Sequence, residues 1–128
     1  MIKNKKNTVY LAGGFHSNWQ EKVILSLKGW TVHDPSSHNI QNPSEYTDWD
    51  LKAIQNSDVI LAYMEKDNPG GYALALEIGY AKALGKKILL VEEHKDKDRQ
   101  KYFEMVRAVA DCTFPDIDNA IKYLAKIN

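Results

Sequence analysis

The residue most suited to catalysis is Glu77, which lies in a stretch of apolar residues at positions 72–84 that predicts a helix. Its neighbours on the helix surface, three and four positions away, are Ala73, Leu74, Tyr80 and Ala81. A carboxylate on an apolar face is unfavourable unless it finds a polar partner or borders a cleft. Two interpretations follow with equal weight: a nucleophile or general base, or a structural carboxylate that accepts from a tyrosine or a backbone amide.

The loop before this helix carries little side-chain bulk, with Asn68 followed by Pro69, Gly70 and Gly71. Two consecutive glycines allow a small ligand to come close to the backbone. The loop is therefore a candidate binding segment at the mouth of the helix that carries Glu77.

Two further residues are candidates for a catalytic role beside Glu77. Tyr10 lies within the first predicted strand, where a buried hydroxyl needs a partner, and a glutamate on a neighbouring helix is the natural acceptor. The alternative is an ordinary core tyrosine. Asp48 and Asp50 lie near a helix start that we place at residue 47 or 48. Asp48 is interpreted as the cap of that helix. Asp50 either interacts with the helix dipole or takes part in catalysis.

Other kinds of site find little support. The four histidines, His16, His33, His38 and His94, show no metal-ligand spacing, so we expect no metal. The pair Gly13-Gly14 after a strand lacks the remainder of a dinucleotide or Walker motif. No serine stands in a nucleophile elbow, and Ser17 with Asn18 is interpreted as a helix cap.

The elements that position these residues alternate between strand and helix. Strands are predicted at residues 8–12, 30–33, 58–63, 87–91 and 112–114, and helices at 19–27, 48–56, 72–84, 102–109 and 117–127. This order predicts an α/β fold, a flavodoxin-like or Rossmann-like three-layer sandwich with a five-stranded, mainly parallel sheet. Ligands bind such sheets at the carboxyl ends of the strands, where we expect residues 13–18, the long polar loop at 34–46, and 65–71.

Composition narrows the class of protein. The 128 residues suit one domain, and 17 basic residues balance 17 acidic ones, which gives no general attraction to nucleic acid or to anionic membranes. The single Cys112, interpreted as an inert core thiol, indicates a reducing compartment. No signal peptide and no membrane-spanning run are apparent, so we expect a cytoplasmic protein.

Several of these segments together resemble one enzyme family. Their order and spacing over residues 8–92 are similar to those of the nucleoside 2-deoxyribosyltransferases, whose relatives include deoxynucleoside-monophosphate N-glycosidases. The segments are 10–15 (Y-L-A-G-G-F), 50–51 (D-L), 57–62 (S-D-V-I-L-A), 70–71 (G-G) and 77–86 (E-I-G-Y-A-K-A-L-G-K).

The resemblance implies a role for each matching catalytic position. Glu77 falls on the carboxylate that attacks the anomeric carbon, Tyr10 on the hydroxyl that steers it, and Asp50 on the acid that assists departure of the base. The first loop of the pocket falls on Gly13, Gly14 and Phe15.

The remaining substrate contacts are less closely matched. His38 and Trp49 are hypothesised to face the nucleobase, with a solvated loop histidine as the alternative for His38. The acidic residue that the family places before the nucleophile helix has only Asp67 and Asn68 near its position, and no counterpart is evident for the contacts that a neighbouring subunit supplies from its C-terminal part.

The predicted activity is cleavage of the N-glycosidic bond of a 2′-deoxynucleoside with transfer of the sugar to another nucleobase through a covalent Glu77 intermediate. Its partners would be a nucleoside or nucleotide, a free base and, as the family and the many aromatic residues suggest, a second copy in a homodimer or larger homo-oligomer. The alternatives are hydrolysis of (deoxy)nucleoside 5′-monophosphates and a non-catalytic nucleotide-binding module.

Overall fold

A single parallel sheet organises the chain. The computed structural model describes residues 7–68 and 71–127. Its strands are β1 (Thr8–Gly13), β2 (Thr31–His33), β3 (Val59–Met64), β4 (Lys87–Glu92) and β5 (Cys112–Phe114). They lie in the order β2-β1-β3-β4-β5, and all four neighbouring pairs are parallel. This is the flavodoxin-like order, which confirms the predicted α/β fold.

Helices cover both faces of the sheet. They are α1 (Trp19–Ser26), α2 (Pro43–Gln55), α3 (Tyr72–Ala83), α4 (Lys97–Tyr102), α5 (Glu104–Val109) and α6 (Ile117–Ile127), with a short 3-10 turn at Pro35–Ser37. Side chains of α1 and α6 pack on one face of the sheet, and those of α2, α3 and α5 pack on the other. The side chain of Tyr10 lies in the second of these cores, on the same side as α3.

The sequence prediction was wrong about the start of α2. The helix begins at Pro43 because the Asn42 side chain accepts a hydrogen bond from the Glu45 amide, 3.1 Å away, and proline suits the first helical position. Asp48 is therefore not a cap. It lies exposed within the helix, where its carboxylate is 3.4 Å from the Lys52 ammonium.

One other local prediction needs correction. Ser17 donates to the Glu65 carboxylate at 3.1 Å, and Asn18 stands at the start of α1 without a side-chain cap bond. Further along the chain, the Asp96 side chain accepts from the amides of Asp98 and Arg99 and starts α4. Cys112 is half-buried against the α1–α6 core.

Within the described residues, no helix has the length and apolar character needed to cross a membrane.

Candidate active site

The α3 helix presents Glu77 toward β1. Only 8% of Glu77 is exposed, and the Tyr10 side chain is fully buried. The Tyr10 hydroxyl donates a hydrogen bond to Oε2 of Glu77 across 67 residues of sequence. The pairing satisfies both buried groups at once, and it leaves Oε1 of the carboxylate available to another partner.

Burial governs the ionisation of this pair. The pKa of Glu77 is raised to about 7, and removal from water is the main cause. The hydrogen bond from Tyr10 lowers this pKa, and the charge of Asp50 raises it further. Burial, followed by the nearby Glu77 charge, also raises the pKa of Tyr10, which therefore keeps its proton and acts as a donor. Glu77 thus exchanges its proton near neutral pH.

Asp50 approaches from α2 and is joined to His38. The distance between His38 Nε2 and Asp50 Oδ1 is 3.2 Å, and both side chains are largely shielded from water. Burial raises the pKa of Asp50, and the hydrogen bond from His38 opposes that increase. Asp50 is thereby disposed to hold a proton more readily than an exposed aspartate.

The backbone determines which nitrogen of His38 carries hydrogen. The amide of Ile40 donates to His38 Nδ1 at 3.0 Å, so Nδ1 must be the acceptor. Nε2 then carries the hydrogen and donates it to Asp50 Oδ1. The Trp49 ring packs edge-on against His38, with 4.7 Å between the ring centroids, and restricts the imidazole to this orientation.

The loop after β1 is built for close approach. Gly13 has φ +154°, and a Cβ placed there would lie 2.7 Å from the Tyr63 carbonyl oxygen. The Gly14 carbonyl accepts hydrogen bonds from Trp19 Nε1 and Gln20 Nε2, each at 3.0 Å. These two buried side chains fix the path of the loop beside the sheet edge.

The three candidate catalytic groups line one cavity of about 470 Å³, a size typical of small-molecule sites. Tyr10, Asp50 and Glu77 are among its lining residues. The other predicted residues found there are Gly13, Gly14, Phe15 and His38.

The remaining predicted binding residues lie elsewhere. Trp49 packs against the α2–α3 core and does not line the cavity. Asn68 is buried with its side-chain amide close to Gly14, and Gly71 begins α3 with φ +91°. Gly70 falls outside the described residues.

Five lining residues were not anticipated individually: Pro35, Ile40, Gln41, Tyr46 and Ala73. Four of them fall within residues 34–46, which the sequence presented as one long functional loop, although the structure places Tyr46 in α2. Ala73 lies one helical turn before Glu77, so it could have been found from the helix periodicity.

No group of three or more histidine, cysteine, aspartate or glutamate side chains comes together to hold a metal in the two described ranges. The lining of the cavity supplies a buried carboxylate, a hydroxyl that orients it, and a second carboxyl group.

The family model for proteins like nucleoside 2-deoxyribosyltransferase matches residues 6–95. No curated protein sequence matches the chain significantly.

Three solved structures resemble more than nine tenths of the chain. The 2-deoxyribosyltransferase of Bacillus psychrosaccharolyticus is 20% identical with a TM-score of 0.71, over 94% of this chain and 92% of that one. The enzyme of the same name from Leishmania mexicana is 22% identical with a TM-score of 0.74, over 94% and 97%. The CMP N-glycosidase of Clostridium botulinum is 26% identical with a TM-score of 0.59, over 92% and 98%.

Proposed function

Since the chain belongs to the family of proteins like nucleoside 2-deoxyribosyltransferase, we propose that it cleaves the N-glycosidic bond of a 2′-deoxynucleoside and transfers the deoxyribosyl group to another nucleobase. The observation that carries this proposal is the buried Glu77 carboxylate, which accepts from Tyr10 and faces the same cavity as Asp50. A binding module has no need of an ionisable carboxylate buried in this way.

In the first step, an oxygen of Glu77 attacks C1′ of the sugar. The C1′–N bond breaks as the Glu77–C1′ ester bond forms. In the transition state, positive charge develops on the sugar ring. The Tyr10 hydroxyl binds Oε2, which leaves Oε1 as the attacking atom. A carboxylate with a pKa of about 7 is available in its ionised form at neutral pH.

The departing base takes a proton as its bond breaks, and Asp50 supplies it. His38 binds Oδ1, so Oδ2 is the oxygen that carries the proton toward the base. In the second step an incoming base attacks C1′, the ester breaks, and the proton of the incoming base returns to Asp50. The enzyme ends in its starting state, and neither step requires a cofactor.

The decisive experiment is base exchange. The protein is incubated with a panel of deoxynucleosides and their 5′-monophosphates, with and without free adenine, and products are separated by chromatography. We expect exchange with the wild type, and a loss of several orders of magnitude in Glu77→Gln with the fold retained. The exposed acid Glu45 supplies the matched control, and Glu45→Gln should retain full activity.

A trapped intermediate tests the covalent step separately. A 2′-fluoro substituent destabilises the positive charge and so slows both formation and breakdown of the ester, which is why the incubation is long and contains no acceptor base. Mass spectrometry of the wild type should show the added sugar on the peptide that contains Glu77. Near-normal turnover by Glu77→Gln, or a label on another residue, would contradict the mechanism.

A second candidate function is hydrolysis of a nucleoside 5′-monophosphate, in which water replaces the incoming base. The similarity to the CMP N-glycosidase favours it. The lining of the cavity favours the uncharged nucleoside, because none of the described residues that line it is lysine or arginine. Release of free sugar phosphate without exchange, in the same panel, would establish the hydrolase instead.

A further inference from the structure

His38 lines the catalytic cavity, yet both of its ring nitrogens already have partners within the protein. Nδ1 accepts from the Ile40 amide at 3.0 Å, and Nε2 lies 3.2 Å from Oδ1 of Asp50. An imidazole has no other hydrogen-bonding atoms. A nucleobase in the cavity would therefore have to displace Ile40 or Asp50 before it could form a hydrogen bond with His38.

The imidazole joins two separate parts of the cavity wall. Its bond with the Ile40 amide is local, between residues two positions apart, whereas its bond with Asp50 reaches α2 across 12 positions of sequence. The side chain of His38 is 12% exposed and that of Asp50 is 21% exposed, so water competes little for this contact. The orientation of the Asp50 carboxyl group thus depends on the imidazole.

The bond between His38 and Asp50 changes strength during the proposed reaction. Asp50 begins as a protonated acid and becomes a carboxylate when it gives its proton to the departing base. A hydrogen bond from N–H to a carboxylate is roughly twice as strong as one between neutral groups. The contribution of His38 is therefore largest while the proton is being transferred, which is where a hydrogen bond lowers the barrier.

We propose that His38 is a positioning residue that acts through Asp50 and forms no hydrogen bond with the base. In the first step the proton on Oδ2 of Asp50 passes to the base, and the negative charge that spreads to Oδ1 is stabilised by Nε2–H of His38. In the second step the proton of the incoming base returns to Oδ2. The imidazole keeps its own hydrogen throughout. This inference rests on the proposed function, because it assigns Asp50 the role of the acid.

Two substitutions separate the two bonds of the imidazole. The amide nitrogen of glutamine lies as far along the side chain as Nε2, so His38→Gln keeps a donor for Asp50 and loses the acceptor for Ile40. The amide oxygen of asparagine lies as far along as Nδ1, so His38→Asn keeps the acceptor and loses the donor. Each variant loses one hydrogen bond, which makes each the control for the other in stability.

We expect His38→Asn to lower kcat for base exchange by about 10- to 100-fold, because a hydrogen bond to a charged group is lost. KM should change little, and nucleosides with poor leaving groups should be slowed most. His38→Gln should recover most of the lost rate. The reverse order of the two variants would show that the bond with Ile40 is the important one. A loss that appears mainly in KM and alters base preference would show that His38 contacts the base. Either result would overturn the proposal.

The double variant tests whether His38 acts through Asp50. In an Asp50→Asn background the acid is already absent, so His38→Asn should cause no further loss of kcat. A full additional 10- to 100-fold loss, about the size expected for His38→Asn alone, would show that His38 acts independently of Asp50 and would contradict the assignment.

NMR judges the contact without any measurement of activity. Long-range ¹H–¹⁵N spectra near neutral pH should show His38 of the wild type with its hydrogen on Nε2. The ¹³C resonance of the Asp50 carboxyl should move in His38→Asn and stay near its wild-type position in His38→Gln. A wild type that is inactive toward every nucleoside, with these spectra as expected, would contradict the role of Asp50 as the acid but not the contact. Hydrogen on Nδ1, or an Asp50 resonance that is the same in all three proteins, would overturn the proposal.

Discussion

The burial of Glu77 links the stability of the protein to pH. The pKa of this carboxyl is 4.5 in an unfolded chain and about 7 in the fold, so the folded state binds the proton more tightly. Stability from this group is fully present below pH 4.5 and is lost as pH rises toward 7. The loss is on the order of 3 kcal/mol.

We therefore expect the free energy of unfolding of Glu77→Gln to rise relative to that of the wild type as pH increases. The free energy of unfolding of both proteins is measured by urea denaturation between pH 4.5 and pH 8, a range that spans the two values for Glu77. Subtracting one free energy of unfolding from the other removes the contribution of groups that titrate alike in both proteins. If that difference does not change with pH, Glu77 has an ordinary pKa in the folded protein.

Tyr10→Phe should move the pH dependence of the proposed reaction. The hydrogen bond from Tyr10 lowers the pKa of Glu77, so its removal shifts the rising limb of kcat/KM to higher pH, by about one unit or more. Stability should fall by only about 1–2 kcal/mol. Tyr63→Phe is the control, because that hydroxyl donates to Glu93 outside the cavity at 2.7 Å. A limb that stays in place would show that Tyr10 does not tune Glu77.

Asp50→Asn should slow the reaction most for nucleosides with poor leaving groups, because proton donation matters most where the departing base would otherwise leave as a strongly basic anion. Rates are compared across nucleosides that differ in the acidity of the departing base. Asp48→Asn changes an exposed aspartate on the same helix and should leave every rate unchanged. Equal slowing of all substrates in Asp50→Asn would count against Asp50 as the acid.

At the scale of elements, β1 ends beside the cavity in a backbone conformation that residues other than glycine avoid. Gly13→Ala would bring a Cβ against the Tyr63 carbonyl oxygen at a positive φ, and it should destabilise the fold by about 1–3 kcal/mol. Gly79→Ala, at an exposed position in α3 with open space around it, should stabilise by about 0.5–1 kcal/mol. Thermal denaturation of both variants compares them, and similar melting temperatures would contradict the steric argument.

The strands and helices could be predicted from the sequence because the patterns that indicate them are local. The buried strands β3 and β4 are continuous apolar runs, and α3 is a helix of strong helix formers that ends near Gly85. The early start of α2 could also have been found, since Asn42, Pro43 and Glu45 form an N-terminal signature.

Contacts between elements could be predicted from the sequence only in part. The bond from Tyr10 to Glu77 follows from two buried polar groups that need each other, and the sequence suggested it. The bond from His38 to Asp50 and the packing of Trp49 on His38 depend on how residues 34–42 fold over α2. No spacing in the sequence encodes that arrangement, so the sequence supported only the hypothesis that His38 and Trp49 face the base, with a solvated His38 as the alternative.

At the scale of the whole molecule, apolar side chains remain on the surface near the catalytic cavity. Phe15 is 60% exposed and Tyr46 is 39% exposed, and both line the cavity. We predict that a second copy of the chain covers them in a homodimer or in a larger assembly of dimers. Light scattering at micromolar concentration measures the mass, and a value near 14.6 kDa with full activity would contradict the prediction.

The parallel pairing of every strand has a consequence for how the chain reaches this structure. β1 pairs with β2 and β3, and the partner of Val9 on β3 is Val59, about 50 residues later. During synthesis at about 5–20 residues per second, β1 therefore waits roughly 3 to 10 seconds for that neighbour. Contacts between such distant segments also make folding slow relative to a helical bundle. Until β3 is synthesised, one edge of the strand that carries Tyr10 stays unpaired and open to aggregation.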